Sequence, residues 1–208
     1  MSSADKPHIY SIEEYLQLEA QSLRKSEYID GWIRAMTGAS LRHNSIKMNC
    51  SILLGNYLKG QKCRPYDSDT KVRIIRDGKR RFYYPDVQVV CDSNDPLSVF
   101  QDRPVLIIEV LSPSTRANDL HEKLEAYQSI LSLECYIVLE QHQPIAYLWQ
   151  RSIRGWTKET IQGIDTTIDL PFLNCKLALR DIYEDIEFTD TCVQEPDPEY
   201  EFFQEVNR

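Results

Sequence analysis

The chain has 208 residues, 32 acids against 24 bases for a net charge of -8, and 42% apolar residues. That length and apolar share suit one domain with a real core. No apolar run approaches the roughly 20 residues of a membrane helix, and the polar start MSSADKPHIY lacks a signal segment, so the expectation is a cytoplasmic protein with no membrane partner.

The acidity is uneven. Residues 181–208 hold ten acids and one base, which leaves residues 1–180 with 23 bases and 22 acids, a net of +1. The body is nearly neutral and admits a nucleic-acid-binding face if its bases cluster in space. Expected boundaries are a domain over 1–188 and an acidic C-terminal tail over 189–208. The six cysteines (Cys50, Cys63, Cys91, Cys135, Cys175, Cys192) show no C-x-x-C spacing, which argues against a zinc site or a disulfide framework. All six are expected reduced and mostly buried.

Ser11 and Glu14 have the spacing of a capping box, opening a short amphipathic helix that ends near Gln21. Glu27-Tyr28-Ile29, Asp30-Gly31 and Trp32 to Met36 predict a tight hairpin. Apolar residues Ile46, Cys50, Leu53, Leu54 and Tyr57 recur at helical spacing from about Leu41 to Lys59, ahead of Gly60. Val72 to Ile75 predicts a strand that Arg76 to Lys79 turns back into a second, from Arg81 to Cys91. A polar loop spans Asp92 to Arg103, and Pro104 to Leu111 is the most apolar strand. A helix is expected over Asp119 to Leu131, with Leu120, Leu124, Tyr127 and Leu131 inward. Strands follow at Glu134–Glu140, Ile145–Gln150 and Trp156–Ile161, then a short helix over Leu177–Tyr183. This order predicts an α/β (α+β) domain, one mixed sheet with helices on its faces.

Two acids break apolar runs: Asp86 after Pro85, and Glu109 within Val105 to Leu111. A carboxylate in such a run costs several kcal/mol unless it is paired, hydrogen-bonded, protonated or metal-bound. Two of them on neighbouring strands suggest one oxygen-rich site for a hard ion, Mg²⁺ or Mn²⁺. Lys123 lies one helical turn after Asp119 and could orient water or stabilise a phosphate. Structural alternatives stand beside each role. Glu109 could pair with a buried base, Asp86 cap a turn, and Lys123 simply pair with Asp119. His43 could be a helix-start hydrogen bonder, while Ser112, Ser114 and Thr115 read as caps rather than nucleophiles. Lys71, Arg73, Arg76, Lys79, Arg80 and Arg81 fall on one hairpin, which either tracks phosphates or protects a sheet edge with charge.

Pro85-Asp86, the run Glu109 to Thr115 and the run Asp119 to Lys123 together resemble the PD-(D/E)XK nuclease-like superfamily, and more closely the Uma2 family (DUF820) of restriction-endonuclease-like proteins. Further matches are the E-Y-I-D-G hairpin (Glu27 to Gly31) and the pair Arg42-His43. The resemblance implies a restriction-endonuclease-like fold and a Mg²⁺-dependent endonuclease acting on DNA, with Asp86 and Glu109 on the metal. Glu27 would be a third acid, and a homodimer would serve double-strand cutting. Leu111 stands where the superfamily pattern has its lysine, and Lys123 is the matching lysine, carried on the following helix. Lys71, Arg73, Lys79, Arg80, Arg81, Arg42 and His43 are the candidate nucleic-acid contacts. The alternative is a catalytically inactive module on the same fold that binds DNA or protein.

Overall fold

A computed structural model describes residues 8–188. Helix α1 (Ile12–Gln21) opens with the expected capping box: the Glu14 N–H donates to Ser11 Oγ at 3.1 Å and the Ser11 N–H to Glu14 Oε2 at 2.7 Å. Strands β1 (Ser26–Ile29) and β2 (Trp32–Ala35) form the expected hairpin. Asp30 and Gly31 turn it at φ 51° and 101°, the left-handed backbone such a turn requires. A Cβ on Gly31 would run into the Ile9 side chain. Helix α2 (Leu41–Tyr57) is capped by Ser40, whose Oγ accepts the His43 N–H at 3.1 Å. It stops short of the expected Lys59.

Next come β3 (Arg64–Asp67), β4 (Lys71–Arg76), β5 (Lys79–Tyr83), β6 (Val87–Val90), β7 (Phe100–Gln101) and β8 (Pro104–Val110). A π-helical turn (Asn118–Glu122) runs into α3 (Lys123–Gln128). The remainder is β9 (Cys135–Leu139), β10 (Ile145–Ser152), β11 (Gly155–Gln162), β12 (Thr167–Leu170), β13 (Cys175–Ala178) and α4 (Leu179–Ile182).

The strands form a six-stranded sheet, β11-β10-β9-β8-β6-β3, a five-stranded sheet, β2-β1-β5-β4-β7, and the β12-β13 pair, rather than one mixed sheet. Each large sheet is itself mixed, with β8 parallel to β9 and β4 parallel to β7. The extended run expected from Arg81 to Cys91 is split between the two sheets. Tyr84-Pro85-Asp86 carries the chain across, and Pro85 has no N–H to continue a ladder. The break puts Asp86 at a strand entrance instead of mid-sheet.

Burial on both faces explains the apolar character of β8. Leu106, Ile108 and Val110 meet Ile46, Cys50 and Leu54 of α2 on one face, with β12, β13 and α4 beyond. Ile107 and Leu111 meet Ala126 and Tyr127 of α3, together with Val72, Ile74 and Tyr83 of the smaller sheet, on the other. Glu109 shares the parity of Ile107 and Leu111, so it faces α3.

Several expectations are corrected. The polar loop contains β7, which pairs with β4. The helix expected to run from Asp119 to Leu131 begins as a π turn and ends at Gln128, so Leu131 is exposed rather than inward. The expected helix over Leu177–Tyr183 is half strand and half helix, and β3 and β12 had no counterpart in the sequence reading. Cys63 and Cys91 form a disulfide, overturning the expectation of six reduced cysteines. The register that pairs Arg64 with Val90 brings these two residues opposite each other, although 28 positions separate them in sequence. Cys50, Cys135 and Cys175 are free and buried, as expected. The acidic tail and Cys192 lie outside the described residues. Among the described residues, no helix is long and apolar enough to cross a membrane.

Candidate active site

Where β6 begins and β8 ends, a cleft of about 330 Å³ opens, lined by Asp86, Glu109, Asp119 and Lys123 among others. The register that sets Val87 against Ile108 puts Asp86 opposite Glu109. The backbone records this: the Val110 N–H donates to Asp86 Oδ2 at 2.8 Å, and the Asp86 N–H to Glu109 Oε2 at 3.3 Å. The two carboxylates therefore share one cleft.

Each carboxylate has one oxygen held. Asp86 Oδ2 also lies 3.1 Å from His43 Nε2, leaving Oδ1 without a partner among the described residues. Glu109 Oε1 accepts from Lys123 Nζ and from the Tyr127 hydroxyl, each at 3.0 Å, leaving Oε2 with only the long bond from the Asp86 backbone. Lys123 also lies 3.0 Å from Asp119 Oδ1 and 3.4 Å from Glu27 Oε1. Asp119 and Lys123 are four residues apart, so the helix, which begins as a π turn at Asn118, carries both on one face. Glu27 stands behind Lys123, outside the cleft lining, and its Oε2 accepts from Arg34 Nη2 at 2.7 Å. Arg34 also reaches Glu122 Oε1 at 2.9 Å.

Three buried carboxylates thus surround one buried ammonium. Burial, with Asp119 and Asp86 adding to it, pushes the Glu109 carboxyl well above the usual range despite the opposing pull of Lys123. Burial alone would lower Lys123, but Glu109, Glu27 and Asp119 outweigh it and raise it well above its ordinary value. The ammonium is firmly charged, and the carboxylates around it are in excess. Asp119 Oδ1, close as it is, takes no hydrogen bond.

This donor set suits a hard cation. One or two carboxylates completed by water are a common way to hold Mg²⁺, and Asp86 and Glu109 provide that many on one wall. Among the described residues no group of three or more His, Cys, Asp or Glu side chains is arranged to hold a metal ion. Ser112 and Thr115 line the cleft but are engaged in their own turn, with Ser112 Oγ 2.9 Å from Thr115 Oγ1.

The candidate nucleic-acid contacts do not gather in one place. His43 lines the cleft, and Lys71 lies next to it, buried 4.9 Å over the Tyr84 ring. Arg42 contacts His142 Nδ1 at 2.6 Å. On the hairpin, Arg73 makes a two-pronged pair with Asp102 at 2.7 and 2.8 Å, Lys79 pairs with Glu125, and Arg81 reaches Asp30 at 3.4 Å. Arg80 is exposed beside them, its backbone N–H bonded to Asp30. The cleft recruits bases the sequence reading passed over: Arg24, Lys25 and Lys47. Lys47 carried a usable signal, since it follows His43 by four residues and shares its helix face. Arg24 and Lys25 lie in an irregular loop and carried none.

Residues 12–180 match the profile of the Uma2 family, described as "Putative restriction endonuclease". Two uncharacterized proteins of Synechocystis sp. are similar. One is 35% identical over 180 residues, covering 86% of this chain and 93% of its own. The other is 30% identical over 169 residues, covering 79% and 94%. A crystal structure from Anabaena variabilis, described as "a putative nuclease belonging to DUF820", aligns with a TM-score of 0.67 at 17% identity, over 84% of this chain and 97% of that one. At that identity the likeness is one of fold, and it matches the mixed sheets flanked by helices seen here, a restriction-endonuclease-like arrangement. The chain belongs to the Uma2 family.

Proposed function

We propose that this protein is a metal-dependent endonuclease that hydrolyses DNA phosphodiester bonds, with Asp86 and Glu109 holding Mg²⁺ or Mn²⁺. The observation that carries the reading is the hydrogen bond from the Asp86 backbone to Glu109 Oε2, which puts both carboxylates in one cleft with Lys123 3.0 Å from Glu109. A divalent ion bound there would neutralise phosphoryl charge and make a water more acidic. The residues do the positioning. His43 and the Val110 N–H hold Asp86 Oδ2. Lys123 is too firmly protonated to act as a base, so its part is that of a charged hydrogen-bond donor to the attacking water or to a phosphoryl oxygen. Glu27, fixed by Arg34, steadies that ammonium from behind. Cutting both strands of a duplex would use two such centres, which implies a homodimer and is checked by sedimentation velocity.

The test is plasmid nicking and linearisation with Mg²⁺ or Mn²⁺, comparing wild type with Asp86→Asn and Glu109→Gln. Metal-dependent products from wild type, lost in both variants, support the reading; equal activity in all three rejects it. One feature favours the second reading, a DNA- or protein-binding module without turnover: Lys123 is already engaged by three carboxylates. Salt-sensitive DNA retention with no products under either metal would favour that module.

A further inference from the structure

The floor of the cleft has the wrong charge for a polyanion. Asp86, Glu109 and Asp119 line it, and a phosphodiester approaching them is repelled unless cations meet it at the mouth. Those cations come from separate parts of the chain. Arg24 and Lys25 lie in the loop entering β1, and Lys47 sits on α2 one turn beyond His43. Lys25 Nζ donates to the Ser68 carbonyl at 2.8 Å and pairs with Asp69, while Lys47 Nζ donates to Ser68 Oγ at 3.2 Å. Two ammonium groups thus converge on one neutral serine, with a single carboxylate at the outer edge. Lys25 and Lys71 both lie over the Tyr84 ring, at 5.4 and 4.9 Å, which adds to the local positive charge. Like charges brought together in this way repel, and an anion seated between them relieves the repulsion. The hairpin bases differ in position, since Arg73, Lys79 and Arg81 do not line the cleft and point their charge to Asp102, Glu125 and Asp30 instead.

We infer that Arg24, Lys25 and Lys47 form the phosphate-binding rim of the site and seat the backbone of duplex DNA against the carboxylate wall. The class of ligand rests on the nuclease reading; the placement of the contacts does not. Phosphate oxygens bridge Lys25 and Lys47 above Ser68, and Arg24 meets the neighbouring phosphate. The β4–β5 hairpin makes no phosphate contact.

The test is fluorescence anisotropy of a fluorescein-labelled duplex oligonucleotide with the full chain, in EDTA, across a KCl series. Four variants are compared with wild type: the pair Lys25→Ala/Lys47→Ala, the single Arg24→Ala, the charge-keeping pair Lys25→Arg/Lys47→Arg, and the hairpin pair Arg73→Ala/Lys79→Ala. Removing both lysines should weaken binding about tenfold or more at low salt and lower the slope of log K against log salt by roughly two. Arg24→Ala should lower it by about one. The arginine pair should bind like wild type, which separates loss of charge from loss of fold, and so should the hairpin pair. Wild-type binding in the lysine-free variant, a larger loss in the hairpin pair, or no binding by wild type would overturn the inference. Neither metal nor turnover enters this assay, so the two readings fail separately. Rim-dependent binding by a protein that never cleaves removes the nuclease and keeps the rim; cleavage with a slope indifferent to the rim does the reverse.

Discussion

Around Lys123 one ammonium serves three carboxylates, all of them buried, whereas along β4 and β5 Arg73 and Lys79, both partly exposed, each meet a single acid. Those two pairs reach solvent and are screened by it, so each contributes roughly 0–1 kcal/mol. The Lys123 cluster is assembled from β1, β8, the π turn and α3, and carries more negative charge than the buried ammonium cancels. A surplus of buried carboxylate is costly in an isolated protein. Evenly matched charge is what a surface needs, and unmatched buried charge is what a cation site needs.

The largest effect that would break this comparison is on catalysis. Asp86→Asn and Glu109→Gln should each lower metal-dependent cleavage about a hundredfold or more, the scale of losing several kcal/mol of charge stabilisation. Single-turnover rates on a supercoiled plasmid measure it, and thermal melts confirm that the variants are folded.

Next comes the ammonium itself. Lys123→Met leaves Glu27, Glu109 and Asp119 without their common partner, and the loss should be about 3–5 kcal/mol, as for other broken buried pairs. Urea unfolding at neutral pH without metal checks this. A change below about 1 kcal/mol would make the cluster no different from the hairpin.

The third expectation has the opposite sign. The Glu109 carboxyl is raised by burial in the folded state, so the stability tied to its protonation is complete below the unfolded value near 4.5 and lost as pH rises through the folded one. Lys123, also raised, acts only above its ordinary 10.5 and does not enter this window. Without metal, Glu109→Gln should therefore gain on wild type in melting temperature as pH climbs from about 4.5, and Mg²⁺ should narrow the gap by stabilising wild type alone. Parallel melting curves for the two proteins would remove the charge-surplus account.

The smallest effect belongs to the hairpin. Lys79→Ala removes an exposed pair with Glu125 and should cost less than about 0.5 kcal/mol, shrinking further in salt. A larger cost would mean the hairpin charges are structural after all.

How much of this was legible differs from element to element. The capping box at Ser11 and the Asp30-Gly31 turn are short-range matters, set by spacing and by which backbone conformations a residue tolerates, and they stand where local pattern put them. So does the α2 face at Ile46, Cys50 and Leu54, while Tyr57 is exposed. Asp86 and Glu109 could also be picked out, because an acid within an apolar run is anomalous without knowledge of its neighbours. The π turn, the break at Pro85 and the Cys63–Cys91 disulfide could not, since each depends on what lies across the fold. The basic hairpin shows the limit most clearly. Its charges are adjacent in sequence, but their partners Asp30, Asp102 and Glu125 come from elsewhere.

Sequence by itself determined the element types over most of the chain, the identity of the two anomalous acids and the family pattern they belong to. Those rest on interactions within a few residues and on the cost of burying charge, which composition and period already express. The tertiary structure alone decided which oxygens remain open, that Lys123 answers to three carboxylates, and that Arg24, Lys25 and Lys47 border the cleft in place of the hairpin. Electrostatic partnership depends on distance in space, and strand register sets those distances between residues far apart in the chain.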